Sequence, residues 1–72
     1  MDQSIYRVAL GAVAGENGRP LEAEREYKIA LSIDPMLFKT HFNLAHLLTE
    51  TRRPDDAVHS YREALAVQPD LV

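Results

Sequence analysis

Apolar residues recur along this chain with the period of an α-helix, most clearly between residues 37 and 50. On a helical wheel, one side of this segment carries a stripe suited to a protein core, formed by Leu37, His41, Leu44, Ala45 and Leu48. The other side is mostly polar. A stripe of this width predicts a helix with one buried and one exposed face.

Prolines mark the boundaries between such segments. Pro20 and Pro54 suit the first position of a helix, where the missing N–H has no partner to lose. Pro35 and Pro69 each follow an apolar run and prevent its continuation as a helix. The pattern predicts four helices, over residues 4–17, 20–33, 35–51 and 54–67, and no β-strand.

The second half of the chain repeats the first. At an offset of 34 residues, ten of the 38 overlapping positions are identical, namely Leu10 and Leu44, Glu16 and Glu50, Arg19 and Arg53, Pro20 and Pro54, Ala23 and Ala57, Tyr27 and Tyr61, Ala30 and Ala64, Leu31 and Leu65, Pro35 and Pro69, and Leu37 and Leu71. The alternative, two unrelated helical hairpins, leaves these identities unexplained. A period of about twenty to fifty residues is typical of solenoids, in which helical units stack.

These positions resemble the tetratricopeptide repeat, whose pattern is W-x2-L-G-x2-Y, then A-x3-F, then proline. The residues that carry the resemblance are Leu10, Gly11, Ala23, Tyr27 and Pro35, and in the second unit Leu44, Ala45, Ala57, Tyr61 and Pro69. The resemblance implies an all-α fold of two stacked antiparallel helix-turn-helix hairpins, as in an α-α superhelix or solenoid. It implies one domain over residues 1–72, with repeats at about 4–35 and 36–69.

Both units depart from the family pattern at the same two places. Arg7 and His41 occupy the tryptophan positions, and Ala14 and Leu48 occupy the tyrosine positions. These substitutions predict thinner packing between the paired helices. Because His41 lies on the apolar stripe, we expect a packed, hydrogen-bonded histidine there, not a ligand.

The turns give further local predictions. Gly18 suits the left-handed conformation that often ends a helix, whereas Arg52 at the equivalent place is disfavoured in it by roughly 1 kcal/mol. The second turn is therefore expected to differ from the first. Asp34, directly before Pro35, is expected to cap the third helix.

In the tetratricopeptide family, the first helix of each pair lines a concave groove. The resemblance implies that a peptide or helix of a protein partner binds here, contacting Ile5, Val8, Ala12, Lys39, Phe42, Asn43, His46 and Glu50. The Asn43 amide can donate to and accept from a peptide backbone, although an asparagine at this place in the family is often merely solvated. Phe42 is either an anchor for the partner or a residue that packs against the first helix.

Lys39 and Asn43 also resemble part of the carboxylate clamp of co-chaperone repeats. That clamp needs basic residues from other repeats, and Val8 and Ala12 supply none. Binding of a chaperone tail is therefore disfavoured.

Composition and charge narrow the classes of partner and of chemistry. Eight basic against eleven acidic residues give a net charge of −3, which disfavours nucleic acid and anionic membranes because both reward clustered positive charge. The most apolar stretch, residues 5–14, is too short to span a membrane and has no basic flank typical of a secretory signal. A cytoplasmic location is expected.

The sequence offers no chemistry of its own. There is no cysteine, no HExxH or GxSxG motif, and no histidine spacing suited to sharing a metal ion. We therefore expect no enzyme activity, no cofactor and no metal site.

One helix face is expected to lack a partner within the chain. By analogy with Tyr27 and Leu31, which should cover the third helix, Tyr61 and Leu65 are left uncovered on the fourth. Three explanations stay open: the chain is a piece of a longer array, it forms a homo-oligomer through this face, or a partner covers it. The main functional expectation is a scaffold for protein–protein interaction. The alternatives are a substrate-recognition segment of a larger enzyme, such as a glycosyltransferase, and a self-assembly module.

Overall fold

The chain forms four α-helices in the computed structural model, which describes residues 2–67. They are α1 (Ser4–Glu16), α2 (Pro20–Ile33), α3 (Phe38–Glu50) and α4 (Pro54–Val67). The described residues contain no β-strand, so the predicted all-α class is confirmed. The roles predicted for Pro69 and Leu71 fall outside the described residues.

The helices pack as two adjacent pairs. α1 packs along α2 and α3 along α4, and a smaller contact between α2 and α3 joins the pairs. The chain is slab-shaped, with principal extents of 34 × 30 × 17 Å. Small residues allow the helices to approach closely, and four alanines are fully buried at these contacts: Ala23, Ala30, Ala45 and Ala64. The continuous core contains Ala14, Tyr27, Leu44, Leu47, Leu48 and Ala57.

α1 approaches the Tyr27 ring of α2 closely at Gly11. A Cβ atom built on Gly11 would lie 2.7 Å from two carbon atoms of the Tyr27 ring and 3.3 Å from the Ala23 carbonyl oxygen. The Tyr27 ring is buried at this contact. A side chain at position 11 would therefore push the Tyr27 ring away from α1.

An ion pair occupies the place where the family pattern has tryptophan in the first pair. The Arg7 guanidinium donates through Nη1 to Glu26 Oε1 at 2.9 Å, and Glu26 is buried. This hydrogen bond outweighs desolvation and lowers the pKa of the Glu26 carboxyl. In the second pair, His41 is buried and its Nε2 donates to the Pro35 carbonyl oxygen at 3.0 Å, which confirms the predicted hydrogen-bonded histidine.

The two inner turns have the same conformation, so the expectation that they differ is wrong. Gly18 has φ 72° and Arg52 has φ 63°. In each turn the positive-φ residue and the residue after it donate their N–H groups to carbonyl oxygens in the last turn of the helix. The second of these bonds is 2.8 Å long in both turns, from Arg19 to Ala14 and from Arg53 to Leu48. These bonds form a Schellman motif and hold Arg52 in a conformation that its side chain disfavours.

Replacing Arg52 with glycine is expected to raise the free energy of unfolding by about 1 kcal/mol, because glycine adopts positive φ without steric strain. The measurement is thermal unfolding by circular dichroism, where this gain corresponds to a rise of about 4–8 °C in a domain of this size. The control is Gly18→Ala, which has open space around the new methyl group and should lower the midpoint through strain alone. An unchanged or lower midpoint for Arg52→Gly would contradict this account.

The third helix begins later than predicted, and Asp34 is not its cap. α3 starts at Phe38, after Leu37, and has no side-chain cap. Asp34 instead ends α2, and its Oδ1 accepts a hydrogen bond from the Met36 N–H at 3.0 Å. This local bond competes with helical continuation, so residues 34–37 form a connecting turn.

A cluster of four charged side chains joins the two pairs. Arg53, in the turn before α4, donates from Nη1 to Glu24 Oε1 of α2 at 2.6 Å and from Nη2 to Asp56 Oδ2 at 2.9 Å. Lys28 lies 2.8 Å from the other Glu24 oxygen. The hydrogen bond from Lys28, together with that from Arg53, outweighs desolvation and lowers the pKa of Glu24.

Candidate partner-binding groove

The first helices of the two pairs, α1 and α3, line a common pocket of about 410 Å³. Its walls are Ala12, Gly15 and Glu16 from α1, with Asn43, His46, Leu47 and Glu50 from α3, and Tyr27 from α2. Four of the predicted partner-binding residues meet here: Ala12, Asn43, His46 and Glu50.

A second pocket, of about 380 Å³, lies toward the N-terminal ends of the same helices. Ile5, Val8 and Lys39, which were predicted for the groove, line it together with Met36, Leu37, Phe38 and Thr40. Ile5 and Met36 are exposed, so this end offers apolar surface beside a single cation. We use the name groove for the two pockets together.

Phe42 is the one predicted groove residue that lines neither pocket. Its ring is half-buried and meets the Tyr61 ring edge-on, with centroids 5.7 Å apart and planes at 62°. Phe42 therefore contacts α4 through this ring pair. Such an edge-on pair stabilises the contact between α3 and α4.

Four residues of the first pocket are not among the predicted partner-binding residues: Gly15, Glu16, Leu47 and Tyr27. Tyr27 was interpreted as core filling, and it is buried, but it also lines the pocket between α1 and α3. The wheel of a single helix shows which residues share a face, but not which residue of a third helix closes the space below. Met36 was missed because it lies in a turn that was predicted to be helical, and Phe38 was missed although it lies in α3 as predicted.

The groove has different charge at its two ends. Glu16 and Glu50 are the last residues of α1 and α3, where the helix dipoles add partial negative charge. His46 Nε2 lies 3.6 Å from Glu50 Oε1, and both side chains are exposed. Burial, and then the nearby Glu16 carboxylate, raise the pKa of Tyr27. This end of the groove therefore attracts cations, while the Ile5 end is apolar with Lys39 beside it.

Within residues 2–67, no three His, Cys, Asp or Glu side chains are grouped closely enough to hold a metal ion. The three histidines lie apart, with His41 in the core, His46 in the groove and His59 exposed on α4. Over the same residues, no helix is long and apolar enough to cross a membrane.

Comparison with known proteins links the second pair to a family. The family model described as tetratricopeptide repeat matches residues 38–71, which include α3 and α4. No curated protein matches the chain. The first pair has the same helix–turn–helix order and the same turn geometry. The α3–α4 pair is therefore a member of the tetratricopeptide repeat family, and the four-helix architecture is consistent with two such repeats.

Proposed function

We propose that this chain is a protein–protein interaction module that binds an extended segment or a helix of a partner in the groove. Repeats of this family are generally modules of that kind. The observation that carries the proposal is the pocket whose walls come from both α1 and α3. A site built from two repeats exists only when the repeats stack, and this links the fold to the activity.

The charges of the groove define the chemistry of the partner. A Lys or Arg side chain fits beside Glu16 and Glu50, and an apolar side chain fits between Ile5, Val8 and Met36. Lys39 and Glu50 are separated by roughly 16 Å along α3 at 1.5 Å per residue. An extended peptide covers that distance in about five residues. The partner segment should therefore carry an apolar residue and a basic residue about five positions apart.

Asn43 lies between these two ends and is exposed. Its amide carries both donors and an acceptor, the combination needed to pair with a peptide bond of any sequence. In the proposal Asn43 holds the backbone of the bound segment, while the groove ends select its side chains.

The experiment is a selection of short random peptides, displayed on phage, against the immobilised chain. Selected peptides should share an apolar and a basic residue at the stated separation. Calorimetry with one such peptide then measures affinity. Lys39→Ala combined with Asn43→Ala is expected to weaken binding roughly tenfold, equivalent to about 1.4 kcal/mol, with helical content unchanged.

A matched pair of variants tests the acidic end. His46 and Glu50 on α3 have the same spacing as His59 and Glu63 on α4, where the closest approach is 3.8 Å. Glu50→Gln is expected to weaken peptide binding about threefold, as for an exposed ion pair, whereas Glu63→Gln should leave it unchanged. Equal effects of the two variants, or none from either, would contradict the assignment of the groove.

A further inference from the structure

α1 and α3 are the equivalent helices of the two repeats, but their side chains differ in how far they are exposed to solvent. Thr40 and Leu47 of α3 are 3% and 8% exposed, whereas their counterparts 34 residues earlier, Tyr6 and Val13 of α1, are 58% and 54% exposed. The difference arises because α2 covers α3, and no helix within residues 2–67 covers α1 in the same way. The surface around Tyr6 and Val13 is here named the front face.

The second and fourth helices show the reverse relation. Tyr27 is 6% exposed and Leu31 packs against the core, whereas their counterparts on α4, Tyr61 and Leu65, are 36% and 40% exposed. Val58 on α4, the counterpart of Glu24, is also exposed. The surface formed by Val58, Tyr61, Arg62 and Leu65 is here named the rear face. It corresponds to the surface of α2 that covers α3.

The front face has a recess, and most of its lining residues are the repeat counterparts of residues at the contact between the two pairs. A pocket of about 150 Å³ there includes Leu10, Ala14, Arg19 and Glu22. Their counterparts Leu44, Leu48, Arg53 and Asp56 line a pocket between the pairs that Leu31 and Lys28 of α2 complete. The front pocket lacks such a pair of side chains, and the rear face presents their counterparts, Leu65 and Arg62.

The charges of the two faces are complementary in the same register. Lys28 lies in the inner pocket with Asp56, and the equivalent arrangement between two copies sets Arg62 beside Glu22. Glu22 is half-exposed, and its existing partner Arg19 lies 3.6 Å away, so it can accept a second cation. One inner contact has no equivalent, because Val58 replaces the Glu24 carboxylate that bonds Arg53. The contact between copies is therefore weaker than the inner one.

We propose that a second copy of this chain stacks on the first, with the front face of one copy on the rear face of the other, as α3 stacks on α2. The two faces differ, so the contact is heterologous. Each added copy leaves one front and one rear face free, and assembly continues in a line without closing. The groove of each copy then continues into the groove of the next, because first helices follow one another along the stack.

Sedimentation velocity from low micromolar to near-millimolar concentration tests the proposal. The weight-average mass is expected to rise steadily over this range, with no plateau at the dimer. A constant monomer mass over the whole range overturns the proposal, and so does a plateau at the dimer, which indicates a closed contact between identical faces.

Two single variants locate the contact. Val13→Glu changes the front face and Leu65→Glu the rear face, and each is expected to lower the association constant at least tenfold, since each places a charge against apolar surface. The matched control is Leu21→Glu, at an exposed leucine of α2 outside both faces, which should assemble like the original chain. Circular dichroism verifies that all three variants fold.

Mixing distinguishes head-to-tail stacking from every other contact. Val13→Glu keeps an intact rear face and Leu65→Glu keeps an intact front face, so the mixture is expected to form a dimer at concentrations where each variant alone is monomeric. A second mixture uses charge variants, which leave the apolar surface unchanged. Arg62→Glu alone should weaken assembly, and mixing it with Glu22→Arg should restore assembly. Failure of both mixtures to associate overturns the proposal.

Discussion

Replacing Tyr27 with alanine is expected to lower the free energy of unfolding by about 3–5 kcal/mol, the usual range for removing a buried aromatic ring. Small domains are stable by only about 5–15 kcal/mol in total, so the variant should be largely unfolded at moderate temperature. The expected loss of stability is large because the Tyr27 ring contacts α1 at Gly11 and belongs to the core that α3 completes. Its loss therefore weakens the first pair and the joint between the pairs together.

Denaturant unfolding followed by circular dichroism measures this effect. Tyr27→Phe is the control that keeps the ring, and it should change stability by less than about 1.5 kcal/mol. Tyr61→Ala removes the equivalent ring of the second pair, which is partly exposed, and should be clearly milder than Tyr27→Ala. If the two alanine variants were equally stable, the central role assigned to Tyr27 would be wrong.

Replacing Gly11 with valine is the second change with a large expected effect, a loss of about 2 kcal/mol or more. Even the first carbon of a side chain lies 2.7 Å from the Tyr27 ring, and the bulk of valine forces α1 away from α2. Overpacking of a tight core has effects of this size. Because valine is a better helix former than glycine by a few tenths of a kcal/mol, local propensity acts in the opposite direction.

Gly15, one turn later in the same helix, provides the control. A Cβ atom there has its nearest neighbour, the Ala23 methyl carbon, at 4.0 Å, which is ordinary contact. Gly15→Ala is therefore expected to stabilise the chain by about 0.5–1 kcal/mol through helix propensity. Thermal midpoints measured side by side should move in opposite directions for the two variants. A stabilising Gly11→Val would contradict the close packing of α1 on the Tyr27 ring.

The positions of the prolines and of the apolar runs were enough to predict most helix boundaries. α2 and α4 begin at prolines, and the predicted limits of α2, 20–33, and the predicted start of α4 at residue 54 are confirmed. The start of α3 was not predictable in the same way. The Asp34 side chain could accept a hydrogen bond either from the first turn of α3, as a cap, or from the Met36 N–H in a turn. Which of these bonds forms depends on the conformation of the whole connection between α2 and α3.

The turn at Arg52 shows the limit of local preference. Its side chain disfavours positive φ, yet the two backbone hydrogen bonds and the packing of both helices fix that conformation, as at Gly18. The groove was predictable only in part for a related reason. Helical period placed Asn43, His46 and Glu50 on one face, whereas the contribution of Tyr27 and Met36 depends on how separate helices meet.

The charged contacts that join the two hairpins lie outside the groove. Glu24, Lys28, Arg53 and Asp56 bridge the joint there, and none of them lines either groove pocket. Since the pKa of Glu24 is lowered in the folded chain, this bridge is intact above the ordinary glutamate pKa and weakens as acidity increases through the lowered value. High ionic strength screens its exposed members as well. Acid or high salt is therefore expected to weaken the joint between the hairpins without altering any residue that lines the groove.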